Sequence, residues 1–224
     1  MGFRRDARDA VAVERGAPRL PGRAGARPRR DPRRAAAGAA ERIPWHTPDV
    51  GHAHADADAW WAALAPVLCG ACSGAGVPVA PEALVAAFRA RYVDPSCWTV
   101  HPDTVPALER LAAYRHVVVS NHVPELPALV SALGLAPYLH GVVTSAAVGW
   151  EKPNPRMYAA ARAAAGDPDE VWMVGDNPVA DVAGAEAAGI RAILVRGEGV
   201  GLVDAAGVIV GEPGIRSAAY RAPN

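Results

Sequence analysis

The sequence predicts an α/β protein built on a doubly wound parallel sheet. From residue 100 onward, short apolar runs alternate with stretches of helical periodicity, the pattern of parallel strands joined by helices. The runs His116-Val-Val-Val119 and Val171-Trp-Met-Val174 are continuous, as in short buried strands. Polar residues able to do chemistry follow these runs, at the edge where an open parallel sheet binds its ligands.

A chain of 224 residues suffices for one domain with a full core, or for a core plus a small cap. About half the residues are apolar and the formal net charge is zero. The charge is uneven: residues 1–42 hold twelve Arg against five acids. No apolar run is long enough to cross a membrane, and the N-terminus lacks the apolar centre of a signal peptide. Cys69, Cys72 and Cys97 do not form a secreted disulfide framework. A cytoplasmic protein without a membrane partner is therefore expected. Nothing in the sequence bears on oligomeric state.

Three regions follow in order. Residues 1–44 are rich in Arg, Ala, Gly and Pro and are expected to be largely disordered, because they cannot bury enough apolar surface to offset the cost of ordering. Their Arg residues lack interleaved aromatics, so nucleic acid is not expected as a partner. The strand-like scrap there is Ala10-Val-Ala-Val13. Residues 45–99 read as a small helical module. Asp58 is expected to cap a helix carrying Trp60, Trp61, Leu64 and Leu68, interrupted at Pro66. Pro81 opens a second helix with Leu84, Val85, Phe88 and Tyr92 on one stripe. The alternation His52, His54, Asp56, Asp58 fits a solvated linker better than a metal site, and Cys69-Gly-Ala-Cys72 reads as ordinary thiols.

Residues 100–224 are the α/β core. A helix over about 103–114 leads to the strand at 116–119, and the next helix, with Leu126, Leu129, Val130 and Leu133, stops at Gly134. The strand Gly141-Val-Val-Thr144 precedes a helix opened by Pro155 and carrying Met157, Tyr158 and Ala161. After Val171–Val174 comes a helix with Asp181 in its first turn, an apolar face of Val179, Val182, Ala183 and Ala187, and Gly189 as its C-terminal cap. Further strands are expected near Ala192–Val195 and Gly207–Val210.

Three loops carry the chemistry. Ser120-Asn121-His122 offers a hydroxyl and the N–H groups of a helix start, which suit an anionic oxygen. Gly149-Trp-Glu-Lys152-Pro-Asn-Pro155 holds the chain's single Lys against 22 Arg, so a compact ammonium is needed there rather than any cation. Asp176 and Asp181 place two hard carboxylates at one strand end, a costly arrangement unless something positive lies between them, and magnesium suits it. A hydroxyl, a lysine and an acid pair, each just past a strand, form a specific constellation.

In these residues the chain resembles the haloacid dehalogenase-like hydrolase superfamily. Ser120-Asn121 is similar to its second motif, Glu151-Lys152-Pro153 to its third, and Gly175-Asp176-Asn177 with Asp181 to its fourth. The resemblance covers roughly residues 100–200. It implies a Rossmann-like core with residues 45–99 as a small helical cap. It also implies that Ser120 and Asn121 hold a transferring phosphoryl group, that Lys152 neutralises its charge, and that Asp176 binds Mg2+ with Asp181 ligating the ion or orienting its shell. The acid pair is similar to the phosphatase branch rather than to the metal-free dehalogenases, and the partner implied is a small phosphorylated molecule.

The first motif of that superfamily, a strand ending in Asp-x-Asp-Gly-Thr, is missing. Its first Asp would attack phosphorus and its second would act as general acid and base. Asp56-Ala-Asp58 has the spacing without the strand, and Asp6 and Asp9 have the wrong spacing. In Ala10-Val-Ala-Val-Glu14-Arg-Gly16, Glu14 stands at the nucleophile position, a methylene too long for in-line attack. If no strand replaces the missing one, the sheet has a gap; residues near Ala10–Val13 are expected to fill it. Two readings stay open. Either the N-terminal segment comes from a misassigned start or a shifted frame of GC-rich DNA, which would account for the Arg, Ala, Gly and Pro of residues 15–40, or the chain is a non-catalytic relative that still binds a phosphorylated ligand. A response-regulator-like domain is a third reading, which the Lys-Pro loop and the helical module do not fit.

Overall fold

The computed structural model describes residues 9–12 by their backbone, and residues 47–52, 54, 56–74, 80–196 and 199–212. Glu14, Gly16 and the Arg-rich stretch around them lie outside the described residues.

Among the described residues, five strands form two parallel ladders. The strands are β1 (Asp9–Ala12), β2 (Val117–Ser120), β3 (Gly141–Thr144), β4 (Val171–Gly175) and β5 (Arg191–Leu194). Two ladders, β1-β4-β5 and β2-β3, meet where β1 lies beside β2. The strands thus run β3-β2-β1-β4-β5, with chain order reversing direction at β1 in the manner of a doubly wound sheet. The scrap expected to fill the gap pairs with β4 one residue early, with Asp9 level with Val171 and Ala12 level with Val174, and lies beside β2 without joining its ladder. Val13 lies outside the described residues.

The runs of β2 and β4 are continuously apolar because both of their faces are covered. On one side Val119, Met157, Tyr158, Ala161, Met173 and Ala192 form a buried cluster. On the other, Leu111, Trp172, Ile193, Leu202 and Ile209 form a second.

Helices α1 (Ala57–Gly74) and α2 (Pro81–Tyr92) pack against each other. Asp56, not Asp58, begins α1 by accepting the Ala59 N–H at 2.8 Å, while Asp58 pairs with Arg89 at 2.5 Å. Pro66 does not interrupt α1, which runs on to Gly74. An interior proline costs a helix about 3 kcal/mol. Burial of Trp60, Trp61 and Leu64 offsets this at about 2 kcal/mol each. The pair docks on the core through Val123, fully buried among those side chains, and through Glu125. The Glu125 carboxylate accepts from the Trp61 indole at 3.0 Å and from Arg89 Nε at 2.8 Å.

The remaining helices are α3 (Thr104–Arg110), α4 (Leu126–Ala132), α5 (Ser145–Val148), α6 (Pro155–Ala164), α7 (Gly184–Ala187) and α8 (Leu202–Ile209). Two expectations are corrected here. Gly207–Val210 is not a strand, since residues 207–209 end α8. Its buried Leu202, Ala205, Ala206 and Ile209 recur at helical spacing, and a short apolar run is ambiguous without that wider window. The segment after Asp176 does not bury Val179, which is 62% exposed. Residues Pro178–Ala183 form a π-helical turn, and the buried face is Asp181, Gly184 and Ala185. Gly189 does follow this helix in the left-handed region, at φ 74°.

Candidate active site

The carboxyl edge of the sheet gathers the three loops, and each loop fixes the next. Strand β2 ends at Ser120, which is buried. The Asn121 carboxamide then bonds the Lys152 backbone twice: its oxygen accepts the Lys152 N–H at 2.7 Å, and its nitrogen donates to the Lys152 carbonyl at 3.0 Å. Ser145, just past β3, accepts the His122 N–H through its hydroxyl at 3.0 Å. The His122 ring packs against Tyr92 and Trp98, so the helical pair reaches this loop directly.

The lysine loop is held from outside by residues 47–52. His52 donates its backbone N–H to the Gly149 carbonyl at 2.7 Å, and Asn154 donates to the Pro48 carbonyl at 2.9 Å. Asn154 also begins α6, accepting the Arg156 N–H. Lys152 itself is buried. Its ammonium donates to the Val119 carbonyl at 3.0 Å and to Asp181 Oδ1 at 2.5 Å. Both side chains of this ion pair are about 5% exposed or less, so each charge depends on the other for its place in the interior.

Both oxygens of Asp181 are engaged, since its Oδ2 accepts the Asn177 N–H at 2.9 Å. Gly175 makes this approach possible; a Cβ there would collide with the Asp181 carboxylate. Asn177 caps the turn, accepting the N–H groups of Val179 and Ala180 through its side-chain oxygen. Asp176 differs from Asp181: its Oδ1 is buried and has no hydrogen-bond partner. A buried carboxylate oxygen left unpaired costs stability unless a water or a cation meets it.

The expected residues Ser120, Asn121, Lys152, Asp176 and Asp181 thus share one edge, and Lys152 bonds or pairs directly with two of them. Sequence reasoning passed over Ser145 and gave no role of their own to Asn177, named within the fourth motif, or to Tyr158, named as an apolar helix position. Asn177 before Pro178 is a legible helix start, and Ser145 directly follows a strand run. Tyr158 gives no signal, because it reads as one more apolar position of α6. The histidines and acids near residue 52 do not converge: His52 bonds Thr47, Asp56 caps α1 and Asp58 pairs with Arg89. Among the described residues, no group of three or more His, Cys, Asp and Glu is placed to hold a metal by itself. The three cysteines are free.

A model of the haloacid dehalogenase-like hydrolases matches residues 12–189. The chain belongs to that family. Among its relatives, a phosphoserine phosphatase of Thermus thermophilus is 47% identical over 81 residues, 35% of this chain and 32% of that protein. The human haloacid dehalogenase-like hydrolase domain-containing protein 3 is 36% identical over 106 residues, 46% of this chain and 42% of that one. The chain therefore aligns with less than half the length of either relative. The L-2-haloacid dehalogenase of Xanthobacter autotrophicus shares the fold at a TM-score of 0.60 and 21% identity, over 92% of this chain and 83% of that one. Among the described residues, no helix is long and apolar enough to cross a membrane.

Proposed function

We propose that this site is that of a magnesium-dependent phosphatase for a small phosphorylated molecule, present as its phosphate- and metal-holding half. The observation that carries the reading is the buried Lys152 ammonium, fixed between the Val119 carbonyl and Asp181 on the edge that holds Ser120, Asn121 and Asp176. Phosphoryl transfer depends mainly on positioning and charge stabilisation, and a preorganised cation in a dry site supplies both. Lys152 meets the charge of the phosphoryl oxygens, and the Ser120 hydroxyl donates to one of them. Asn121 fixes the lysine loop through one amide hydrogen and its oxygen, which leaves its second amide hydrogen for the ligand.

The residues fit magnesium sparingly. Asp176 offers its unpaired Oδ1 as a ligand, and Asp181, engaged through both oxygens, orients the shell; magnesium often takes only one or two carboxylates and keeps several waters. When bound, the ion neutralises negative charge on the phosphoryl group. The acid pair and the phosphatase relative favour this reading over dehalogenation. A second reading, a phosphate-binding relative without turnover, is favoured by the absence of Asp-x-Asp from the sequence of the central strand.

Titration calorimetry tests the metal site. The protein should bind magnesium weakly, and Asp176→Ala should abolish the heat while raising stability by about 1 kcal/mol, since it removes an unpaired buried oxygen. Equal magnesium binding by both proteins would rule out this site.

A further inference from the structure

We propose that Tyr158 is a positioning residue for the Lys152–Asp181 pair, acting through the π-helical turn that carries Asp181. The inference rests on reading that pair as the charged centre of the site, but its test needs neither metal nor substrate.

The turn at Pro178–Ala183 has one residue more than an α-helix would use. The Gly184 N–H donates to the Val179 carbonyl, whereas in an α-helix it would donate to Ala180. Turns of this kind are rare and concentrate at functional sites. Each residue of an α-helix advances the chain by about 100°, so restoring α-helical register would swing Asp181 away from Lys152. The Ala180 carbonyl, deprived of its α-helical donor, instead accepts from the Tyr158 hydroxyl.

Tyr158 reaches this carbonyl from α6, the helix that directly follows the lysine loop. One helix thus positions both members of the ion pair. Its ring lies in the apolar cluster with Met157, Ala161 and Met173, where a phenylalanine ring would pack as well. The hydroxyl is not needed for burial and must be satisfied once buried. Gly184 keeps room for it: a Cβ at 184 would collide with the Tyr158 hydroxyl and with Pro153. Removing the hydroxyl leaves the Ala180 carbonyl without this donor and loosens the register of the turn, while the core around the ring stays intact.

The single lysine makes the test direct. Protein labelled with 15N-lysine gives one side-chain ammonium signal, that of Lys152. In Tyr158→Phe its protons should exchange with solvent at least about tenfold faster than in the parent, on the order of one lost hydrogen bond. Ala161→Gly, which weakens the same helix without touching the turn, should leave the exchange close to the parent rate. Unchanged exchange in Tyr158→Phe, or equal acceleration in Ala161→Gly, would overturn the proposal. Asp181→Asn should speed exchange more than Tyr158→Phe does, since the Val119 carbonyl still holds the ammonium. Exchange at the parent rate in Asp181→Asn would show that the ion pair itself is absent in solution, and the reading of the site would fall with the proposal.

Discussion

The two ends of the sheet both bury polar side chains, and they treat charge in opposite ways. At the carboxyl end, Lys152 and Asp181 are buried as ions, each bonded to the other and to backbone. At the amino end, His116 precedes β2 with 3% of its surface exposed. Its Nδ1 lies 3.1 Å from the Tyr138 carbonyl, and its Nε2 has no hydrogen-bond partner. Burial lowers the affinity of this imidazole for a proton, the Tyr138 contact opposes that in part, and nearby His140 adds to it. One end is built to hold charge and the other to exclude it. Burial alone therefore does not mark a functional group; what marks it is a buried charge met by groups from several different loops.

The largest expected effect follows from breaking the charged end. Lys152→Met leaves Asp181 buried without its cation, and denaturant unfolding should show a loss of about 3–5 kcal/mol. A loss below about 1 kcal/mol would mean that Asp181 turns out to solvent and that the pair is not a fixed centre. The smaller effect concerns the end that excludes charge. In the unfolded chain His116 titrates near its ordinary value of 6.5. In the folded chain it titrates lower, so below about pH 6.5 the unfolded state binds more protons and stability is lost as the pH falls. The melting temperature should drop between pH 7 and pH 5, and His116→Gln should flatten that drop. An identical pH profile in the variant would show that His116 takes up its proton without cost.

Much of this was legible before the structure. The strands were, because buried parallel strands are written as unbroken apolar runs. Lys152 was, because one lysine among 22 arginines is a choice of chemistry. The strand that pairs with β4 was legible to within a residue, since Ala10-Val-Ala-Val13 is the apolar run available in that region. The π-turn was not. Helical periodicity assumes 3.6 residues per turn, and here a hydroxyl from another helix supports a different spacing; Val179 was placed on the wrong face for that reason. Residues 207–210 failed differently. Four apolar residues fit a strand or a helix end equally well, and only Leu202 and Ala205 upstream reveal the helix. The Asp58 cap slipped by two residues, because two acids flank the start of α1 and a tertiary ion pair with Arg89 claims one of them.

As proposed above, the chain carries the binding half of a phosphatase site without its nucleophile. Hydrolysis of p-nitrophenyl phosphate with magnesium tests it most directly, on the chain as written and on a version with a strand ending in Asp-x-Asp-Gly-Thr in place of residues 10–18. The chain as written should run near background yet bind phosphate or vanadate. The restored version should be faster by at least about a hundredfold, the lower end of what one acid–base group contributes, and Lys152→Ala or Asp176→Ala should cancel the gain. Brisk turnover by the chain as written, unchanged in Glu14→Ala, would contradict the account and place the nucleophile elsewhere.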